Sequence, residues 1–220
     1  MLTLFRPSLP KARIIKLAAT VLFAVCVYWH PFRARLIPTN FFCFLMIVGM
    51  YGAALGTMLF RWRPGQPLKL NPLQLQTGLS TLGAVSGIVV VLSLFLWCVG
   101  APVLPILDLL ALYLPLLQSV VRIGCFYAGC CAGRIPFLQL YSSAGLFIIF
   151  LLLRFGLSSL ITVHGALCAS YLMLTSAERF ILDFWRVPVS GNVFRVHRVL
   201  AMLLFIGSAL FLFNLLLAAT

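Results

Sequence analysis

Long apolar runs separated by clusters of Gly, Pro and Arg extend through most of the chain. Each run approaches the roughly 20 residues that an α-helix needs to cross a bilayer, and a helix satisfies its own backbone polar groups in hydrocarbon. The pattern therefore predicts an all-α, polytopic membrane helix bundle of about seven transmembrane helices. The predicted spans are residues 14–30, 40–60, 78–98, 101–121, 138–154, 158–177 and 199–219.

Two spans have features that change this picture locally. The first is short and contains Lys16, so lying in the membrane interface is an alternative to crossing the bilayer. The fourth contains Pro102, Pro105 and Pro115, and we expect it to be kinked or broken because proline removes a helix hydrogen bond. We find no linker, repeat or low-complexity segment, so residues 1–220 are predicted to form a single integral membrane domain.

Composition excludes a water-soluble globule. Hydrophobic residues make up 63% of the chain and charged residues 9%, compared with roughly 25% charged residues in soluble domains. The formal net charge is +13, and the basic residues lie between apolar runs. This placement favours lipid headgroups and phosphates, and not nucleic acid, as the anionic partner.

The distribution of Lys and Arg among the loops predicts an orientation. With the N-terminus in the cytoplasm, thirteen of the sixteen basic residues lie on the inside. The other side then holds Arg33, Arg35 and Arg154. The chain is therefore expected to have its N-terminus inside and its C-terminus outside.

The densest group of polar and special residues is the segment Arg122 to Arg134, which reads RIGCFYAGCCAGR. Arg122 follows an apolar span, so its guanidinium either reaches towards the headgroups or binds an anion. The segment's three glycines, Gly124, Gly129 and Gly133, favour anion binding because they expose backbone N–H groups and allow close approach to a phosphate.

A second group, Glu178 to Arg186, reads ERFILDFWR and lies at a predicted membrane boundary. On a helix, the spacing of Arg179, Asp183 and Arg186 places these residues on one face. Ions at this depth usually indicate function or a structural pair. The alternative is a topology anchor with an Arg–Asp pair.

Three weaker features complete the candidate residues. Gly78, Gly83 and Gly87 have a spacing that is typical of close helix packing in lipid. Gln139, at the start of the fifth span, is a polar amide among apolar residues, and Tyr141 suits the membrane interface. Asp108, inside the fourth span, is costly unless it is neutral or paired.

Together and in this order, four segments resemble the prolipoprotein diacylglyceryl transferase family over about residues 40–215. RIGCFYAGCCAGR is similar to the family signature, which begins with Arg, a hydrophobic residue, Gly and Asn and ends with Gly and Arg. GLSTLGA, PFLQLY and RFILDFWR resemble three further segments of the family. The resemblance implies a multi-pass protein of the bacterial cytoplasmic membrane.

The resemblance also implies an activity and a set of site residues. The family moves the diacylglyceryl group of phosphatidylglycerol to a cysteine thiol of a lipoprotein precursor, and we expect no metal or cofactor. Arg122 and Arg179 would hold the phosphate, and Asp183 would orient Arg179 or Arg186. The remaining substrate-binding candidates are Gly124, Gly129, Gly133, Arg134, Gln139, Tyr141, Arg186 and Gly83.

The chain departs from the family at three positions. Cys125 and Cys130 stand where the family has Asn and Glu, and are catalytic candidates; Leu82 stands where it has a functional His. An alternative function uses the thiols of Cys125, Cys130 and Cys131 in redox or metal chemistry, and a transporter or channel ranks last. The family places its site towards the outer face, whereas the charge distribution places Arg122 and Arg179 inside.

Overall fold

The computed structural model describes residues 9–31, 33–61, 81–129, 134–158, 163–185 and 191–218. Every regular element in these ranges is helical, which confirms the all-α prediction. The helices, numbered in chain order, are α1 (Leu9–Tyr28), α2 (Arg33–Leu36), α3 (Thr39–Arg61), α4 (Thr81–Val99), α5 (Val103–Tyr127), α6 (Leu138–Leu151), α7 (Ala166–Asp183) and α8 (Gly191–Leu217).

Four helical segments of the described ranges are long and apolar enough to cross a membrane. They are Thr39–Gly56, Val103–Tyr127, Leu138–Leu157 and Arg198–Leu217, and the apolar stretch Gly83–Val99 is slightly shorter. Helices α1 and α7 are less apolar because each carries three charged residues near one end. Together, these segments support a helical membrane protein.

Two helices differ from the predicted spans in an informative way. Helix α5 is continuous from Val103 to Tyr127 with Pro115 inside it, so the fourth span is not broken. Pro105 lies in the first turn of α5, where an N–H group has no intrahelical acceptor to lose. Helix α7 begins later than predicted and continues through Asp183, so Arg179 and Asp183 lie on its last turns.

Helix α6 is continued by a π-helical segment, Leu152–Leu157. Arg154 lies in this segment, with its guanidinium 5.7 Å from the ring centroid of Phe155. The α6 helix and the π-helical segment together form one of the four candidate spans. A basic residue is thus carried within the end of an otherwise apolar span.

The chain divides into two compact units. One unit lies within Tyr28–Leu107 and contains α3 packed on α4. The other lies within Met1–Val27 and Asp108–Thr220, where α7 packs on α8 and α6. The single domain over residues 1–220 stays a prediction.

In the first unit, glycines bring α3 and α4 into close contact. A Cβ atom added to Gly52 would lie 2.7 Å from the carbonyl oxygen of Gly87, and one added to Gly56 would lie 2.8 Å from the Cα of Gly87. A Cβ atom on Gly56 would also clash with the carbonyl oxygen of Gly83. The close packing indicated by the small residues of α4 is therefore present.

Candidate functional site

Three helix ends meet at one end of the second unit: the end of α5, the start of α6 and the end of α7. Arg122 lies on the last turns of α5, Gln139 on the first turn of α6, and Arg179 near the end of α7. All three side chains are buried. We call this region the arginine end.

Helices α5 and α6 are joined by a reciprocal pair of serines. The Ser119 hydroxyl donates to the Ser143 carbonyl oxygen at 2.9 Å, and the Ser143 hydroxyl donates to the Ser119 carbonyl oxygen at 2.9 Å. Both serines are buried. Because Arg122 follows Ser119 by three residues, it lies one helical turn further along the same side of α5.

Helices α6 and α7 are joined at the neighbouring position on α6. The hydroxyl of Ser142 donates to Oε1 of Glu178 at 2.7 Å, and Glu178 directly precedes Arg179. The two links use adjacent residues of α6, so the Arg122 turn of α5 and the Arg179 turn of α7 both lie near the first turns of α6.

Burial of the two arginines is the main electrostatic feature of the arginine end. Arg122 is 3% exposed and Arg179 is 8% exposed. Among the described residues, Nε of Arg122 and Nη1 of Arg179 are buried nitrogen atoms without a hydrogen-bond acceptor, although both side chains have other interactions. Buried guanidinium groups require nearby anionic or polar partners because removing them from water is costly.

Asp183 and Arg198 extend the arginine end to helix α8. Asp183 is 4% exposed and follows Arg179 by about one turn of α7, so these two residues lie on one side of the helix. That Arg186 shares this side stays a prediction. Nη2 of Arg198 donates to the carbonyl oxygen of Asp183 at 3.3 Å, and its guanidinium lies 4.5 Å from the ring centroid of Phe184. A cation near the end of α7 also complements the helix dipole.

The glycines of the signature segment have identifiable structural functions. A Cβ atom on Gly124 would lie 3.2 Å from Cγ of Lys16 and 3.3 Å from the carbonyl oxygen of Ala12, so Gly124 permits close contact between α5 and α1. Gly129 follows the end of α5 with φ of 65°, a left-handed conformation that favours glycine. A role for either glycine in holding a phosphate stays a prediction.

The remaining candidate residues have different locations. Tyr141 is 60% exposed, whereas Gln139 is buried, because the two leave α6 on different sides. Arg134 is exposed, and its backbone N–H donates to the carbonyl oxygen of Trp185 at 2.7 Å. Cys125 is half-buried on α5. Gly83 lies in the other unit, in the contact between α3 and α4.

Five residues that the sequence singles out lie outside the described residues: Gly78, Cys130, Cys131, Gly133 and Arg186. Within the described ranges, no group of three or more His, Cys, Asp or Glu residues is arranged to hold a metal ion. The predicted roles of the residues outside the described ranges therefore stay predictions. The alternative function based on thiols also stays a prediction, because it depends on Cys130 and Cys131.

Sequence reasoning missed the role of Ser119, Ser142 and Ser143 in joining the three helices. The adjacent serines at the start of an apolar span were an available signal, because buried hydroxyls need hydrogen-bond partners. It also missed the partner of Glu178, which was noted only as the first residue of a charged segment. Its partner lies 36 positions away.

Comparisons with known proteins bear on the whole chain. A search of curated proteins found no match. The family model for prolipoprotein diacylglyceryl transferase matches residues 14–214, a range that contains Arg122, Gln139, Arg179 and Asp183. The matched range includes all of α2 to α7 and most of α1 and α8. The chain therefore belongs to the prolipoprotein diacylglyceryl transferase family.

Proposed function

We propose that this protein transfers the diacylglyceryl group of phosphatidylglycerol to a cysteine thiol of a lipoprotein precursor in the bacterial cytoplasmic membrane. Family membership supports a membrane transferase of the diacylglyceryl-transfer kind. The observation that carries the proposal is the burial of Arg122 and Arg179 on two helices that both contact the first turns of α6.

The reaction forms a carbon–sulfur bond and breaks the bond between the glyceryl carbon and a phosphate oxygen. Negative charge develops on that oxygen as glycerol phosphate leaves. Guanidinium groups fixed in a water-poor site stabilise such charge without reorganising, and their planar forks suit phosphate oxygens. In the proposed mechanism, Arg122 and Arg179 hold the phosphate, and Gln139 donates or accepts a further hydrogen bond.

Asp183 has a positioning role in this proposal. It follows Arg179 by four residues on α7, and its carbonyl oxygen is held by Arg198. A carboxylate on the same helix face orients a guanidinium and partly offsets its charge. Because the arginine end carries more guanidinium groups than carboxylates, its net charge stays positive.

The proposal predicts that purified protein forms a lipidated peptide. The full chain in detergent would be incubated with phosphatidylglycerol and a cysteine-containing lipoprotein peptide. Mass spectrometry should detect a mass increase of one diacylglyceryl group. Arg122→Gln and Arg179→Gln should each lower the rate by about 10²- to 10³-fold, the typical effect of losing one charge-stabilising group.

Arg154→Gln is the matched control. Arg154 is also an arginine within a membrane span, but it lies in the π-helical segment at the other end of α6, and its variant should retain the wild-type rate. Folded wild-type protein that forms no lipidated peptide would refute the proposed reaction. Equal losses in all three arginine variants would instead refute the assigned roles of Arg122 and Arg179.

A further inference from the structure

The chain has three acidic residues, and the structure places them in three different environments. Asp108 accepts backbone N–H groups of Gly165 and Cys168 at the start of α7. Asp183 is buried one turn after Arg179. Glu178 is half-buried and lies against α6 at the arginine end. Glu178 is thus the acid of the arginine end that retains an accessible part.

The Glu178 side chain lies against two residues of α6. Its Oε1 accepts the hydrogen bond from Ser142, which is 1% exposed. A Cβ atom added to Gly145 would lie an ordinary 3.5 Å from Cγ of Glu178, so the stem of Glu178 lies alongside this turn of α6. The carboxylate is therefore oriented by a buried hydroxyl.

The carboxylate of Glu178 accepts a hydrogen bond from a neutral hydroxyl and, among the described residues, is not part of an ion pair. Within the part of the chain that the structure describes, Ser142 is its hydrogen-bond donor and no Lys or Arg forms an ion pair with it. Glu178 thus keeps one carboxylate oxygen for a proton near two buried arginines.

We propose that Glu178 is the general base that removes the proton from the incoming cysteine thiol. The inference rests on the proposed function and adds a catalytic residue to it. Leu82, which stands where a family histidine is expected, has no proton acceptor. His164 precedes α7 at its other end. The carboxylate of Glu178 is placed at the same helix ends as the proposed phosphate-binding arginines.

The proposed step needs no reactant other than the lipid and the peptide thiol. A carboxylate oxygen of Glu178 takes the thiol proton, and the resulting thiolate attacks the glyceryl carbon that carries the phosphate. The carbon–sulfur bond forms as the carbon–oxygen bond breaks, and its electron pair goes to the phosphate oxygen. The proton on Glu178 then passes to the departing phosphate or to water, which restores the carboxylate.

Two variants separate catalysis from helix packing. Glu178→Gln removes the base but keeps an oxygen that can accept the Ser142 hydrogen bond. Ser142→Ala removes that hydrogen bond but keeps the carboxylate. We expect Glu178→Gln to lower kcat by about 10²- to 10³-fold, as expected for loss of a general base, and Ser142→Ala to lower it by less than about 10-fold.

The apparent KM for phosphatidylglycerol should be unchanged in Glu178→Gln, because the arginines that bind the phosphate are intact. A peptide with selenocysteine in place of cysteine should recover most of the lost rate, since a selenol ionises at neutral pH without a base. Both measurements use the folded full chain in detergent containing phosphatidylglycerol. Each result is expected if Glu178→Gln impairs proton removal. Neither is expected if the variant only disturbs helix packing, because selenocysteine in the peptide does not change the packing of the protein.

The outcomes distinguish this inference from the function on which it rests. Wild-type protein that forms no lipidated peptide overturns the proposed function and the role of Glu178 together. An active wild type with an equally active Glu178→Gln variant overturns the role of Glu178 alone. A greater loss in Ser142→Ala than in Glu178→Gln, or no recovery with selenocysteine, assigns Glu178 to packing and also overturns the inference.

Discussion

At the scale of single residues, Asp108 shows how an acid is accommodated inside an apolar helix. Its two carboxylate oxygens accept the backbone N–H of Gly165 at 2.5 Å and that of Cys168 at 2.8 Å. Gly165 is the N-cap of α7 and has no side chain with which to cap the helix. Asp108 therefore supplies, from α5, the acceptor that an N-cap side chain normally provides.

Replacing Asp108 should destabilise the protein. Asp108→Ala leaves two buried N–H groups without their acceptor, and we expect a loss of about 3 kcal/mol, since hydrogen bonds to charged groups contribute roughly 1.5 kcal/mol or more each. Asp108→Asn keeps one acceptor oxygen and should lose less. Thermal unfolding in detergent would measure both variants, and a wild-type transition for Asp108→Ala would contradict the proposed cap.

The sequence indicated that Asp108 must be neutral or paired, and it has partners. The identity of these partners was beyond sequence reasoning, because they are backbone groups nearly sixty positions away, whose location depends on the packing of α7 against α5. The same limit applies to Glu178 and Ser142. Residue type predicts that a buried polar group needs a partner, but packing decides which one.

At the scale of elements, the contact between α3 and α4 depends on glycine. Gly52 and Gly56 on α3 oppose Gly83 and Gly87 on α4, with backbone directly against backbone. Helices in lipid gain no stabilisation from the hydrophobic effect against each other, so close van der Waals contact is a main source of association. Each added methyl group at this contact would separate the helices.

Two substitutions on α3 test this contact. Gly56→Ala places a Cβ atom against the carbonyl oxygen of Gly83 and 2.8 Å from the Cα of Gly87, and should cost about 1–3 kcal/mol. Gly49→Ala is the matched control, because its Cβ atom would lie an ordinary 3.7 Å from Cδ1 of Leu92. If both variants unfold in detergent at the same temperature, backbone contact does not limit stability here.

Helix boundaries were less predictable than helix positions. Apolar runs located every long helix of the described ranges, but the sixth span was placed at 158–177 whereas α7 covers Ala166–Asp183. Hydropathy follows the lipid-facing surface, whereas backbone hydrogen bonding continues through charged residues that are buried against other helices. Arg179 and Asp183 are such residues, and half-buried Glu178 lies beside them, so α7 extends beyond its apolar part.

At the scale of the whole molecule, the basic residues of the second unit concentrate at the arginine end. Lys16 on α1 lies beside Gly124 on α5, and Arg198 on α8 contacts the end of α7. Arg154 lies near the other end of α6. The side of the membrane on which the arginine end lies stays a prediction.

The orientation is tested by labelling single cysteines in intact cells with a membrane-impermeant maleimide. In a chain whose native cysteines are replaced by Ala, the charge distribution predicts that His164→Cys reacts from outside and Arg134→Cys reacts only after permeabilisation. Both native side chains are exposed. The parent without added cysteine gives the background, and the reverse labelling would favour the outward site implied by the family.

The π-helical segment Leu152–Leu157 places an additional residue in the span that begins with α6. A π turn holds more residues than an α turn, in the manner of a single inserted residue. Loss of one residue there would return the segment to α-helical geometry and leave the register of Gln139 and Ser142 unaltered. A one-residue deletion in this segment is therefore expected to leave the packing of the arginine end, at the opposite end of α6, undisturbed.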